Sequence, residues 1–460
     1  MENDLKKAYD MIQAKRPKLD MFSNYYSGRQ PVMYLTKRLR EVFKGIDQVF
    51  TENWCSVVID SVDERLNMTG FESDIVPVHA ALKAAWERNQ IALEASDVHS
   101  DALVLGEAYA VIWPGADGKA ELFYNDPRLM HCLYQDANPR LMTMAAKLWT
   151  GDDGKAKLTL YYPDRLEYYT STEKSENVSS AAAFQPDLSV SATGTAPNPY
   201  GIVPVFHFKI NRKCQSDLTN VIPLQNGINK LLADMMVAAE YGAYNQRWVI
   251  SGGGTLGLKN APGEVWDLAA GDGAAQNTQV GQFESTDLKN YLDAIDRLSM
   301  AIGVISRTPK HYFFGQGGDP SGEALIALEA PLNKKAQDRI DRFYPVWQQV
   351  GIFICQIEGI AVTGENVSPQ FEKPSTIQPR TQAEIIKLMV DSTMPLDTAL
   401  TVAGWTEGEI ETMNQIKDEA ASKAQESMAG ALAKAEQQMK TLPMPPGVVQ
   451  STNGVKQNGR

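Results

Sequence analysis

Apolar residues recur at steps of three and four along two long stretches of the chain. From Thr286 to about Ser306, Leu288, Leu292, Ile295, Leu298, Ile302 and Ile305 fall on one face. From Ser321 to about Gly359 the same spacing carries Leu325, Leu328, Leu332, Ile340, Phe343, Trp347, Val350, Ile354 and Ile357. This pattern predicts two amphipathic helices, the second about 55–60 Å long from the rise per residue. Pro331 and Pro345 lie inside the second and predict a kink or local break at each. Between the helices, Pro309 and Pro320 act as stops, while Gly315, Gly317 and Gly318 leave the backbone free. Long helices flanking such a loop suggest machinery that contacts a moving partner.

The rest of the chain alternates between the two periodicities. Helices are expected over Leu5–Tyr26, over Phe50–Leu66 (with Trp54, Val58, Val62 and Leu66 on one stripe), and from Pro77 to about Gly106 with a break near Asn89. Residues 107–170 switch to a strand pattern, in which the decapeptide W-x-G-x-D-G-K-A-x-L occurs at Trp113–Leu122 and again at Trp149–Leu158. Asp-Gly between strand-like runs predicts two similar hairpins. Residues 171–199 are rich in Ser, Ala, Thr, Asn and Pro without periodicity, and read as a mobile surface loop or insertion. Ile202–Phe208 returns as a buried strand, and Ile222–Trp248 as a helix. Residues 251–283 are Gly-rich with strand-like Glu264–Leu268 and Thr278–Val280. After a Pro-rich link, short helices over Arg380–Gly404 precede a helical Thr406–Lys440, and residues 443–460 read as a disordered tail.

Charge and cysteine usage narrow the classes. The 460 residues carry 44 Lys and Arg against 56 Asp and Glu, a net charge of −12. A protein that grips DNA by neutralising phosphates is basic, so tight duplex binding is excluded, whereas a conduit through which DNA slides tolerates a negative surface. Cys55, Cys132, Cys214 and Cys355 lack metal or redox spacing and read as buried thiols in a reducing compartment. No run approaches a membrane span, and the N-terminus lacks the apolar core of a signal peptide, which places the protein in the cytoplasm or in something assembled there.

Catalytic signatures are missing. There is no Walker A loop, no H-E-x-x-H among the five histidines and no G-x-S-x-G elbow. Gly252-x-Gly254-x-x-Gly257 matches a dinucleotide fingerprint only formally, because a helix dominates what precedes it and Pro262 follows. The carboxylates Asp60, Asp63 and Glu64 beside Arg65 read as a salt-bridged helix face rather than a metal site. Two features carry functional promise: the loop Arg307–Pro320 with Lys310 and His311, and the long helix with Lys334, Lys335, Arg339 and Arg342 among acidic neighbours.

In their order, these elements resemble bacteriophage portal proteins of the gp6-like (SPP1-type) siphovirus family. The likeness rests on Trp54–Phe71 with its Gly70-Phe71 exit, on Trp86-x-x-Asn89 followed by Ala102–Val111, on Asn198–Val205, and on Ile305–Pro309 with Pro320–Ala324 bracketing a loop. The resemblance implies a mainly helical α+β fold of wing, stem, clip and crown, assembled as a dodecameric ring around a central channel. Residues 1–215 would be wing, 216–248 the first stem helix, 249–285 the clip and 286–306 the second stem helix. Residues 307–320 would be the tunnel loop, 321–374 the long wing helix and link, and 375–442 the crown. Lys310, His311 and Gln316, with Lys334 and Lys335, would face DNA, and Lys259, Glu264, Trp266 and Asp267 would serve docking at the clip. The implied partners are double-stranded DNA, the terminase large subunit, a head–tail adaptor, and major capsid and scaffold proteins, with no membrane, cofactor or metal. The implied location is the portal vertex of the virion, after assembly in the host cytoplasm. Two other classes set against it are a packaging ATPase or nuclease, which needs a phosphate loop or carboxylate cluster, and a head or scaffold protein without a channel.

Overall fold

The computed structural model describes residues 2–30, 52–243, 247–250, 279–284, 286–313, 322–374, 379–403, 405, 408, 410–423 and 425. The chain divides into two compact units, Met1–Thr376 and Ile377–Arg460. In the second, helices α8 (Pro379–Asp391) and α9 (Leu396–Ala403) are followed by helical residues within 408–425.

The first unit is built on helix α7 (Gly322–Ile357). The middle of its predicted stripe is its buried face: Leu332, Ile340, Phe343, Trp347, Val350 and Ile354 are enclosed, with Ala336 beside them, whereas Leu325 and Ile357 at the ends are half-buried and Leu328 is exposed. Pro331 and Pro345 do not end the helix, which runs through both. Both prolines lie on the exposed side, as do Ala327 and Asp341 four residues earlier, so the carbonyls left without a donor can meet water. Around α7 pack α2 (Trp54–Asp63), α3 (Val76–Arg88), α4 (Ile91–Leu105) and the ribbon of β1 (Met68–Glu72) with β13 (Ser368–Phe371). The break between α3 and α4 falls where expected. Gln90 takes a left-handed conformation, and the Asn89 amide donates to Ala85 and Ala120 while accepting from the Leu122 amide, tying the break to a strand.

His99 on α4 shows how this core holds a polar group. Its Nδ1 donates to the Leu66 carbonyl at 3.0 Å, its Nε2 accepts from the Trp347 indole at 2.9 Å, and Phe343 stacks on the ring. Burial lowers its pKa to about 4, which keeps the imidazole neutral.

The β region forms two sheets. In the first, β2 (Glu107–Pro114) lies between β10 (Val205–Lys209) and β3 (Ala120–Asn125). The second runs β4 (Met130–Tyr134), β5 (Met142–Thr150), β6 (Lys155–Tyr161), β7 (Arg165–Lys174) and β8 (Phe184–Pro186), with β9 (Thr195–Pro197) also on β7. The repeated decapeptide makes the turns of β2–β3 and β5–β6. In both, the glycine of Asp-Gly has positive φ (Gly118 at 75°, Gly154 at 72°), and the Asp carboxylate accepts from the following Lys amide. Residues 171–199, expected as a loop, instead continue β7 and add two 3₁₀ turns and the short strands β8 and β9. Strands of three residues offer no periodicity to detect, and here they are held by the backbone of β7.

Helix α1 (Glu2–Tyr26) joins the two cores. Leu5, Ala8, Tyr9 and Ile12 pack with β5 and β6, whereas Leu19, Phe22 and Tyr25 enter the core around α7.

Helices α5 (Ile222–Ala243) and α6 (Lys289–Ser306) lie side by side, so close that a Cβ on Gly227 would stand 3.1 Å from Leu298. The first helix ends at Ala243 rather than Trp248. Trp248 belongs to β11 (Arg247–Ile250), paired with β12 (Gln279–Gln282). Ile250 opposes Gln279 at one end of this ribbon.

Candidate functional site

The first turns after α6 are fixed by a dense set of contacts. Arg307 caps the helix in the left-handed region at φ 63°, a place usually given to glycine, and the Thr308 amide donates to the Gly303 carbonyl at 2.9 Å. After Pro309 a 3₁₀ turn, Lys310–Tyr312, leads to Phe313, which is buried against Trp54 with ring centroids 4.9 Å apart. Arg65 is the hub. Its guanidinium donates to the Tyr312 hydroxyl at 2.9 Å, to Asn333 at 3.0 Å and to the Ser61 carbonyl at 2.7 Å, with Glu329 at 3.6 Å. His311 Nε2 stands 3.5 Å from the same Glu329 carboxylate. Three segments distant in sequence thus hold the start of the loop: α2 with its C-terminal exit, α7, and the turn itself.

A second ionic group lies at the end of α6. Asp217 receives Lys335 at 3.0 Å and Arg339 at 2.7 Å. Lys335 also donates to the Ser306 carbonyl, and Arg339 to the Ile210 carbonyl. Asp217, Lys335, Arg339 and Ser306, with Asn211 and Arg307, border a polar cavity of about 350 Å³.

Among the sequence-predicted residues, Lys310 and His311 are exposed at this turn, and Lys334 is exposed on α7 with Asp338 at 3.8 Å. Lys335 points the other way: it is 9% exposed, and its charge is matched by Asp217. Gln316, Lys259, Glu264, Trp266 and Asp267 lie outside the described residues. The reading of Asp60, Asp63 and Glu64 as a face salt-bridged by Arg65 is corrected, because Arg65 turns to Tyr312 and Glu329. Asp60 instead accepts from the Tyr26 hydroxyl at 2.9 Å. Asp63 is left half-buried, and its pKa is raised to about 7, first by burial and then by the charge of Asp60. Arg65, Glu329 and Asp217 were not singled out as functional, since charged residues at isolated positions carry no local signal.

A third polar cluster gathers beneath α1. Glu107 accepts from Lys15 at 2.7 Å, from the Tyr109 hydroxyl at 3.0 Å and from His207 Nε2 at 2.9 Å. Ligand atoms of Glu107, His207 and Cys214 lie within 4.8 Å of one another. Glu107 stands about one hundred residues from His207 and Cys214, which hid this group from a reading by motif spacing.

Of the predicted apolar face of α6, Ile295 and Ile302 are buried, Leu288 and Leu298 half-buried, and Leu292 and Ile305 exposed; Met300 and Val304, outside that face, are exposed as well, Val304 by 80%. No described helix is long and apolar enough to cross a membrane. No curated protein matches the chain. The profile of one family, described as phage portal protein, SPP1 Gp6-like, matches residues 5–426. With its helix pair, the ribbon at its tip and the loop between α6 and α7 all inside the matched span, the chain belongs to the SPP1 Gp6-like family of phage portal proteins.

Proposed function

We propose that this chain is the subunit of a non-catalytic, dodecameric ring at one capsid vertex. Double-stranded DNA passes through it during packaging and ejection, and the terminase and head–tail connector proteins dock on it. The observation that carries this reading is the pair α5 and α6, which leaves the apolar side chains Leu292, Met300, Val304 and Ile305 without cover in a single chain. Apolar side chains exposed in a single chain are covered when subunits associate, and a ring supplies each subunit with a neighbour on both sides.

In this arrangement α5 and α6 are the stem, and residues 249–285, which take in part of the β11–β12 ribbon, form the clip. Residues 307–320 form the tunnel loop, anchored at its first residues by Arg65 and Glu329. Lys310, His311, Gln316 and Lys334 make weak, exchangeable contacts with phosphates, which suits a net charge of −12. Lys335 joins them only where its pair with Asp217 opens. Lys259, Glu264, Trp266 and Asp267 serve terminase and adaptor docking, and major capsid and scaffold proteins surround the ring in the virion. The second reading, another head or scaffold protein without a channel, leaves the helix pair and the anchored loop without a use.

Native mass spectrometry with negative-stain imaging tests the proposal. A ring of about twelve subunits with a central hole is expected; a monomer or dimer, also in the presence of scaffold and capsid proteins, would overturn it. Within the ring, replacing Lys310 and His311 together by Glu leaves assembly intact and slows packaging. An unchanged packaging rate removes the loop from the DNA path.

A further inference from the structure

Cys214 sits in an unusual place. It has φ 49°, in the left-handed region that a residue with a Cβ adopts only when its surroundings impose it. What imposes it is a turn in which the Asn211 side chain accepts from the Lys213 and Gln215 amides, packed so closely on Gly106 that a Cβ there would lie 2.4 Å from the Cys214 carbonyl oxygen. The turn brings the thiol to the first residue of β2, Glu107, and to His207 on β10. Cys214 itself is half-buried, which gives a route from solvent.

The hydrogen bonds around His207 can be exchanged for a metal bond. Nε2 now donates to Glu107 Oε2, and Nδ1 accepts from the Tyr134 hydroxyl, 2.9 Å away. If the proton moves to Nδ1, Tyr134 becomes its acceptor, and Nε2 presents a lone pair beside Oε2. A hydroxyl can act in either sense, and an outer partner on the second ring nitrogen is the usual companion of a metal-bound imidazole. Glu107 meanwhile keeps Lys15 on Oε1.

We propose that Glu107 Oε2, His207 Nε2 and Cys214 Sγ form a zinc site that clamps the turn after β10 to the start of β2. Zinc accepts thiolate, imidazole and carboxylate ligands in tetrahedral geometry, and a site with three protein ligands leaves the fourth position to a water. Ligand atoms at zinc bond lengths and a tetrahedral angle lie about 3.3–3.6 Å apart. The 2.9 Å between Nε2 and Oε2 must therefore open by about 0.4 Å, and Sγ must close from a spread of up to 4.8 Å. A thiolate in the set favours zinc over magnesium or calcium. Binding releases the thiol proton, and the Lys15 and Lys209 ammonium groups nearby oppose the added charge, so occupancy rises with pH. His131, with a buried Nδ1 lacking a partner among the described residues, feels the charges of Lys15 and Glu107 and is a further nitrogen in the neighbourhood.

The test uses the full-length chain, stripped with a chelator and then given Zn²⁺ or Co²⁺. About one metal ion per chain is expected after desalting, with a cobalt spectrum showing tetrahedral bands and a thiolate charge-transfer band. Cys214→Ser should remove that band and weaken zinc binding at least about tenfold, and Tyr134→Phe should weaken it about 10–100-fold with the far-UV circular dichroism unchanged. Absence of stoichiometric metal, a cobalt spectrum without sulfur character, or full zinc binding by Cys214→Ser would each overturn the assignment. The cobalt spectrum of the unmutated chain decides the matter even if a variant fails to fold.

Discussion

The two halves of α7 are gripped in different ways. From Ile340 to Ile354 the contacts are mainly apolar and uncharged, with Phe343, Trp347, Val350 and Phe353 enclosed, His99 held neutral among them and Gln348 bonded to two backbone carbonyls. From Glu329 to Arg339 the apolar contacts of Leu332 and Ala336 are joined by charge pairs, Arg65 with Glu329 and Asp217 with both Lys335 and Arg339. Close-packed apolar surfaces lose their contact energy when displaced by a fraction of an ångström. Arg and Lys have long arms and can keep a partner through larger shifts, or trade it for another anion. The half that adjoins the loop start is the half with exchangeable partners.

The sharpest way to break this contrast is at the apolar end. Trp347→Ala should lower unfolding free energy by about 3–5 kcal/mol, because it empties a fully buried site and leaves His99 Nε2 without its donor. In thermal or urea unfolding that loss should not depend on salt. At the ionic end, Asp217→Ala should cost about 3 kcal/mol, since two largely buried cations lose their common partner. Adding Lys335→Met to Asp217→Ala should return part of it, and a double-mutant cycle measures how much.

Asp63 tests the neighbourhood by pH. Its folded pKa, about 7, lies above the unfolded value near 4. Its contribution is therefore fully present below about pH 4 and is lost as pH rises through 7. Asp63→Asn avoids that loss. The variant should be more stable than the parent by about 1–2 kcal/mol at pH 8, after discounting for solvent contact, and equal to it near pH 3.5. A constant difference across that range would show that Asp63 does not titrate as assigned. The smallest effect should come from Arg65→Lys, about 0.5–1 kcal/mol, because a lysine cannot reach Ser61, Tyr312 and Asn333 together. Unlike the loss at Trp347, this difference should shrink toward 1 M salt, where screening is strong.

What the sequence revealed follows from the range of each interaction. The stripe of α7 was legible because its apolar steps repeat along one element, and the twin turns because Asp-Gly dictates its own backbone conformation. Strands β8 and β9 were not, because their order comes from β7 rather than from their own residues. Trp248 was assigned to a helix because its strand partner Gly281 lies at the far end of the Gly-rich segment. Lys310 and His311 could be placed at the loop start from local prolines and glycines. The inward turn of Lys335 could not, since it depends on Asp217, more than a hundred residues away. A lysine on an amphipathic helix looks the same in sequence whether it meets water or a buried carboxylate.

Helix α1 sets a timetable for synthesis. Its Leu19–Tyr25 end packs into the core around α7, and its Leu5–Ile12 end against β5 and β6. The Leu5–Ile12 stripe is made before its strand partners, which follow about 140 residues later, roughly 7–30 s at ordinary elongation rates. Most of a helix's stability in a protein comes from tertiary packing of its apolar face, so this segment must wait, that face uncovered, for two later regions of the chain to close over it.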